Sequence, residues 1–325
     1  MRVLVTGGSG FIGTNLVERF ASRGDDVLNI DIAPPRNAAH RVWWRAIDLL
    51  DGVTFRAAVK DFAPEYLLHM AARTDLNGRS VDDYDVNTVG VGNVIAAVEG
   101  AASLQSLIFA SSRLVCRIGY SPRNEFDYFP STPYGESKVI GEELVRASAA
   151  LLPCPWHIVR PTSIWGPWFG VPYKDFFLSV ARGRYVHPGS GPILKSFGFV
   201  GNTVYQLERL LEASAHLVSE GTLYLADYPP VDVAVMADAV QQALRVAPIK
   251  TVAVEVLWPA AWVGSLLKTL GWQNPPLTSF RLHNLLTPMV YDLEPLRAIV
   301  GELPFSMEDG VRITAAWLKS RGEVP

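Results

Sequence analysis

Only two cysteines, Cys116 and Cys154, occur among the 325 residues. They lie far apart and in no metal-ligand spacing, which excludes a disulfide framework and a cysteine-based metal site. Both read as small reduced core residues, and a reducing cytoplasm is the expected compartment. No apolar run reaches the ~18 residues of a membrane span, so no membrane partner is expected. Basic tracts are also missing: 29 basic residues face 32 acidic ones, for a net charge of −3. That balance excludes the footprint of a nucleic-acid binder. The start, MRVLVTGG, lacks the layout of a signal peptide. There is no internal repeat and no low-complexity segment. His157 and His187 have no metal partners in the sequence, and no metal is assigned.

What remains is an ordinary globular balance, 49% hydrophobic and 19% charged, long enough for one large or two modest domains. The first ~160 residues alternate short apolar runs with helix-period segments, the pattern of a parallel α/β sheet covered on both faces. Expected strands are Arg2–Thr6, Val27–Asp31, Trp43–Ile47, Tyr66–His69, Ser106–Ala110 and Trp156–Arg160. Expected helices are Phe11–Ser22, Val53–Asp61, Val86–Glu99 and Tyr134–Ala150. Gly24, Gly52 and Gly100 stand where helices or turns would end. From Pro161 to Pro192 prolines, glycines and aromatics predict irregular structure. A helix near Val204–Ala215 and a strand near Leu223–Ala226 are expected to return to the main sheet. The remainder mixes helices with Pro-rich connections such as Asn274–Pro276.

Residues 2–13 read RVLVTGGSGFIG. A strand runs straight into Gly7, Gly8, Gly10 and Gly13, and an amphipathic helix follows. Glycines there let the backbone turn tightly and approach a pyrophosphate, which meets the free N–H groups of the helix start. Asp31 ends the next strand. A carboxylate there accepts from both adenosine ribose hydroxyls and repels a 2′-phosphate, so its sign favours NAD over NADP; Arg36 nearby softens that preference.

Tyr134 and Lys138 stand four residues apart at a helix start, on one face. Phenol and ammonium both ordinarily titrate around 10. A cation beside the phenol stabilises phenolate, as a base needs to take a hydroxyl proton while hydride leaves the same carbon. Ser111 and Ser112 close the apolar run 107–110. Catalytic groups in open parallel sheets gather at such carboxyl ends, where a serine hydroxyl is placed to bind the reacting oxygen.

Together these residues resemble the extended short-chain dehydrogenase/reductase family, in its nucleotide-sugar epimerase and dehydratase branch, over nearly the whole chain. TGGSGFIG, with Gly7, Gly10, Phe11, Ile12 and Gly13, resembles the family's cofactor turn. Asp48 and Leu49 resemble the pair that contacts adenine. His69-Met70-Ala71-Ala72 is similar to the segment beside the cofactor, and Asn87 to the asparagine that begins the next helix. FASSRLV puts the catalytic serine at Ser112, with Tyr134 and Lys138 as the catalytic pair. Arg160-Pro161-Thr162 and Gly166-Pro167 resemble the stretch where nicotinamide and substrate meet. The resemblance implies NAD as cofactor, cofactor contacts from Ser111 and Pro161, and a homodimer through Val86–Glu99 and Tyr134–Ala150. It implies a Rossmann-type doubly wound sheet over residues 1–165, rejoined by about 198–227. A smaller mixed α/β substrate domain would comprise 166–197 and 228–325.

The sequence also departs from that pattern. Sugar dehydratases carry Asp-Glu after the catalytic hydroxyl residue; here stand Arg113 and Leu114, which disfavours dehydration. The usual Arg-Asp appears as Lys195-Ser196, and a later Arg-x-Gly-Asp phosphate site is absent, leaving Arg281 or His283 as substitutes. Arg113, Trp165, Lys195 and Arg281 are the candidate substrate contacts. Trp165, Trp168, Phe169 and Tyr173 fit a pocket lining and plain packing equally. The leading expectation is NAD-dependent epimerisation of a nucleotide sugar at C4. Net reduction or oxidation of a keto-sugar or other carbinol is the alternative. A non-catalytic NAD-sensing scaffold is the reading from a different class.

Overall fold

The computed structural model describes residues 1–189, 191–213, 221–272, 275 and 277–324. Residues 214–215 of the expected late helix, and Asn274 and Pro276 of the expected connection, lie outside the described residues.

Seven strands form one sheet: β1 (Arg2–Thr6), β2 (Asp26–Ile30), β3 (Trp44–Arg45), β4 (Tyr66–His69), β5 (Ser106–Ala110), β6 (Trp156–Pro161) and Gly221–Leu225. Its order is Gly221–Leu225, β6, β5, β4, β1, β2, β3, with every neighbouring pair parallel. Val3, Leu4 and Val5 are all fully buried. Such uninterrupted apolar strands require cover on both faces, hence a parallel sheet wrapped by helices. The chain winds outward from β1 to β3, then returns to start β4 on the other side of β1. This is a doubly wound Rossmann-type sheet, and its switch point lies where Thr6 pairs with His69.

The helices are α1 (Phe11–Ser22), α2 (Gly52–Phe62), α3 (Asp85–Val98) and α4 (Pro133–Ala147). Gly52 opens α2 instead of ending a turn, because the Asp51 side chain caps the helix by accepting from Thr54 N. A β-carbon on Gly52 would fall 2.9 Å from the Asn93 side chain. Thr132 caps α4 in the same way, and Pro133 takes its first position. On α4, Gly141 lets α3 approach, since a β-carbon would meet the Asn87 carbonyl at 3.0 Å. The expected strand Trp43–Ile47 shrinks to Trp44–Arg45, because a 3₁₀ turn capped by Asn37 occupies Ala38–Trp43. The stretch expected to be irregular holds a helix, Tyr173–Ala181, led in by Pro172 and buried through Phe177 and Val180.

The chain divides into two compact units. The first comprises Met1–Phe169, Gly198–Asp227 and Asp292–Phe305; the second Gly170–Phe197, Tyr228–Tyr291 and Ser306–Pro325. The first unit thus takes in residues 292–305, which the sequence reading assigns to the substrate domain. The helix Glu294–Val300 packs on the helix Val200–Ala213. Asn202 clamps Phe305 with both ends of its amide, Nδ2 donating to the carbonyl (2.9 Å) and Oδ1 accepting from the N–H (3.1 Å). Residues 166–169 also belong to the first unit: Asn15 Nδ2 donates to Pro167 O and Arg36 to Trp168 O. The second unit combines helices with two short strand pairs, one parallel and one antiparallel. Among the described residues no helix is long and apolar enough to cross a membrane.

Candidate active site

The glycine turn sits at the carboxyl end of β1. Gly7 has φ +71°, and a β-carbon there would fall 2.6 Å from the Ala71 backbone. Met70 N and Ala71 N both bond Thr6, at its carbonyl and its hydroxyl. Glycine is therefore required by the close approach of two loops. Helix α1 starts at Gly10 with no side-chain cap and no acidic residue in its first turn. Its leading N–H groups are claimed by no side-chain cap, and no acidic side chain of the first turn offsets its positive dipole end. Asp31 follows β2 and accepts from Ser9 N (3.0 Å) and Ala33 N (2.9 Å). Arg36 donates to Ser9 O and Trp168 O, so its guanidinium braces the glycine turn. These features fit a dinucleotide: a side-chain-free cradle, an uncapped helix start, and a carboxylate at the end of β2.

The remaining expected cofactor residues take clear places. Asp48 is exposed, its carboxylate accepting from Leu50 N, while Leu49 is buried in the core. Asn87 is fully buried and clamps the backbone of Arg73 from both sides, at 2.9 and 3.0 Å. It also donates to Ser137 Oγ, which in turn donates to the Tyr134 carbonyl. Asn87 thus fixes the segment after Ala72 against α4. Pro161 closes β6 opposite Leu225.

At the end of β5 and the start of α4 the predicted catalytic residues come together. Ser112 Oγ accepts from Leu114 N at 3.1 Å, and a β-carbon on Gly135, next to Tyr134, would fall 2.3 Å from the Leu114 carbonyl oxygen. Burial raises the Tyr134 pKa, and Tyr84 raises it further; the Ser112 bond and the Arg113 charge pull it down. Lys138 is buried, and Nζ donates to Ala110 O at 2.9 Å. Burial lowers its pKa to about 8, against a raising influence from Glu142. In this structure the long lysine side chain reaches across to the open carbonyl at the end of β5. Arg113, itself buried, is a cation that favours the charged form of Tyr134. The Tyr84 ring stands 5.9 Å from that of Tyr134.

The substrate candidates fare differently. Trp165 is fully buried with its ring 5.3 Å from Phe199, which favours packing over pocket lining. Lys195 is buried in the second unit and donates to Asn284 O at 2.6 Å. Arg281, also in that unit, donates to Pro275 O at 3.0 Å. Sequence reasoning missed Glu142, a buried carboxylate one turn beyond Lys138. It accepts from Ser111, Tyr128, Arg146 and Arg160. The repeat of four residues from Tyr134 through Lys138 is the signal that points to it.

Residues 3–186 match the family described as NAD dependent epimerase/dehydratase. The chain belongs to this family. Among its relatives is 3-beta-hydroxysteroid dehydrogenase of Mycolicibacterium neoaurum, 30% identical over 238 residues, 68% of this chain but only 63% of that protein. Another is the N-acetyl-alpha-D-glucosaminyl-diphospho-ditrans,octacis-undecaprenol 4-epimerase of Escherichia coli O157:H7, 25% identical over 95% of this chain and 92% of the relative. The fold resembles the solved UDP-glucose 4-epimerase of Thermus thermophilus in complex with NAD, with a TM-score of 0.70 and 23% identity over 98% of this chain and 99% of that one. The family is NAD-dependent, and its members are extended short-chain dehydrogenases/reductases and epimerases.

Proposed function

We propose that the chain catalyses NAD-dependent hydride transfer at a secondary carbinol carbon, with Tyr134 as the proton-transfer group. The observation that carries this is the close approach of the start of α4 to the carboxyl end of β5, where a β-carbon on Gly135 would fall 2.3 Å from the Leu114 carbonyl oxygen and the Ser112 hydroxyl acts on the Tyr134 phenol. Ser112 holds the reacting oxygen on the phenol. Tyr134 takes the hydroxyl proton when the substrate is oxidised and returns one when a ketone is reduced. Arg113 favours the phenolate electrostatically, and Lys138 fixes the end of β5 through Ala110. Bound NAD supplies the acceptor and donor of hydride. Gly7, Gly10, Phe11, Ile12 and Gly13 would cradle its pyrophosphate. Asp31 would take the ribose, Asp48 and Leu49 the adenine end, and Met70, Ala71, Ala72, Ser111 and Pro161 the flanks.

Net oxidation or reduction is the better-supported outcome. The cations expected to meet a nucleotide diphosphate, Lys195 and Arg281, already donate to carbonyls of their own unit. A relative with 30% identity is a hydroxysteroid dehydrogenase. Epimerisation of a nucleotide sugar at C4 is the second reading, favoured by the family's description and by a 4-epimerase relative matched over 95% of this chain. Cofactor turnover separates them, since an epimerase regenerates NAD within each cycle whereas a reductase consumes NADH stoichiometrically. A homodimer through α3 and α4 belongs to this proposal, supported by the exposed Val89 and by the open space around Gly92 on α3.

The deciding experiment is Tyr134→Phe. Turnover is expected to fall ~100-fold or more, as for removal of a positioned acid–base group, with NAD binding retained. Unchanged turnover with hydroxysteroids, 3-oxo acids and nucleotide sugars as trial substrates would sink the assignment.

A further inference from the structure

We propose that Glu142 is a positioning residue of the active site, a buried carboxylate that anchors Ser111 and supplies the counter-charge that keeps the Lys138 ammonium protonated. Its catalytic meaning rests on the assignment of Tyr134 and Lys138 above; its physical content does not.

The argument starts from helix spacing. Tyr134, Lys138, Glu142 and Arg146 follow one another at four-residue intervals along α4, which places them in one stripe. The first two reach the ends of β5. Glu142 is 2% exposed and would be costly to bury as an anion without partners. It has five donors: Ser111 Oγ (2.5 Å), Arg160 Nε and a second Arg160 nitrogen (2.8 and 2.7 Å), Tyr128 OH (2.9 Å) and Arg146 (3.1 Å). Burial raises its pKa, but Arg160, Ser111 and Arg146 more than offset that, so the net direction is down and the carboxylate stays charged. Arg160, fully buried at the end of β6, is held on its other side by Glu125 O and Tyr224 OH.

A cavity of about 10 Å³, room for one water, is shared by Glu142, Ser111 and Lys138. His69, Asn87, Ser111, Lys138 and Glu142 all contribute to its wall. The groups facing Lys138 are therefore few. From β4 comes His69, kept neutral because burial, with Lys138 itself, lowers its pKa to about 3. From β5 come the Ala110 carbonyl and Ser111, and from α3 the neutral Asn87. Glu142 is the one carboxylate that acts on Lys138 among the described residues. Arg160, from β6, and Arg146, one turn further along α4, both donate to the same carboxylate. Removing its charge leaves a buried ammonium with no carboxylate acting on it among the described residues.

Lysine-selective ¹³C labelling tests this without substrate or cofactor. The chain has seven lysines, and Lys138→Arg assigns the resonance of interest by its loss. Lys138 is expected to titrate at about 8. In Glu142→Gln its midpoint is expected to move acid by about one unit or more, the size an adjacent opposite charge provides, a tenfold change in the amine-to-ammonium ratio. Glu142→Asp, which keeps the charge, should restore the midpoint. The other six lysines report whether the variant is folded. Should Glu142→Gln unfold, Glu142→Gln with Arg160→Met removes both buried charges, a replacement proteins often tolerate, and the acid shift is still expected. An unmoved midpoint in a folded variant, or a shift that Asp fails to reverse, overturns the proposal. Tyr134→Phe is read by turnover and this experiment by titration, so either can fail alone.

Discussion

Gly13 lies so close to Gly7 that a β-carbon on Gly13 would fall 2.1 Å from the Gly7 carbonyl oxygen. That carbonyl also accepts from Gly10 N at 2.9 Å, so it cannot withdraw without opening the turn. Gly13→Ala is therefore expected to distort the cradle while leaving most of the core intact. NAD affinity, followed by fluorescence or calorimetric titration, should fall ~10-fold or more, equivalent to about 1.4 kcal/mol. Wild-type affinity in this variant would remove the glycine turn from the cofactor site.

Asp31 holds two backbone N–H groups, those of Ser9 and Ala33, and in the proposed cofactor site its charge would meet a ribose phosphate. Asp31→Ser should weaken NAD and improve NADP, narrowing the preference ~10-fold or more. Competitive titration of both dinucleotides measures it. An unchanged ratio would assign the discrimination elsewhere, with Arg36 the next residue to replace.

His69 is buried with Nδ1 2.8 Å from Thr6 Oγ1, and burial lowers its pKa to about 3. The unfolded chain takes up this proton at about 6.5, so between these values the unfolded state binds more protons. The stabilising contribution is complete above about 6.5 and is lost as pH falls toward about 3. In ¹⁵N spectra of the folded protein the His69 ring should remain neutral at about pH 5. Denaturation curves should show stability falling with acidity in this range, with a smaller slope in His69→Gln. A charged His69 in the folded protein at that pH would contradict the burial argument.

Asn202 ties residue 305 into the first unit through both amide ends and gives Nδ2 to the half-buried Asp227 as well. Asn202→Ala orphans the Phe305 N–H and carbonyl. Because Phe305 is exposed and both bonds are only part-buried, the expected loss is about 1 kcal/mol of stability, that of an ordinary hydrogen bond. Urea denaturation checks it. A loss near zero would mean that the segment 292–305 is held by the packing of its helix alone.

Local patterns make much of this legible in the sequence. The strand-turn-helix at residues 2–22, and the four-residue spacing of Tyr134 and Lys138, are short-range signals in which the residues that act together are neighbours in the chain. What stays hidden depends on distant segments meeting. Arg160 reaches Glu142 only because β6 lies beside β5. The direction of the Lys138 side chain depends on an open carbonyl at Ala110, which no pattern announces. Helix Tyr173–Ala181 is masked by the prolines around it, one of which leads it in. The return of residues 292–305 rests on Asn202, which lies 103 residues before Phe305, and sequence spacing alone gives no sign of that pairing.

The stripe along α4 makes that helix a ruler with fixed graduations. Its polar outer face tolerates exchange, but its length between residues 134 and 146 does not. One residue added or lost inside it would turn everything beyond by about 100°. Glu142 would then swing away from β5 and β6, and the guanidinium of Arg160 would be stranded in apolar surroundings. Insertions in this protein should therefore be accepted in the surface connections and refused in this span.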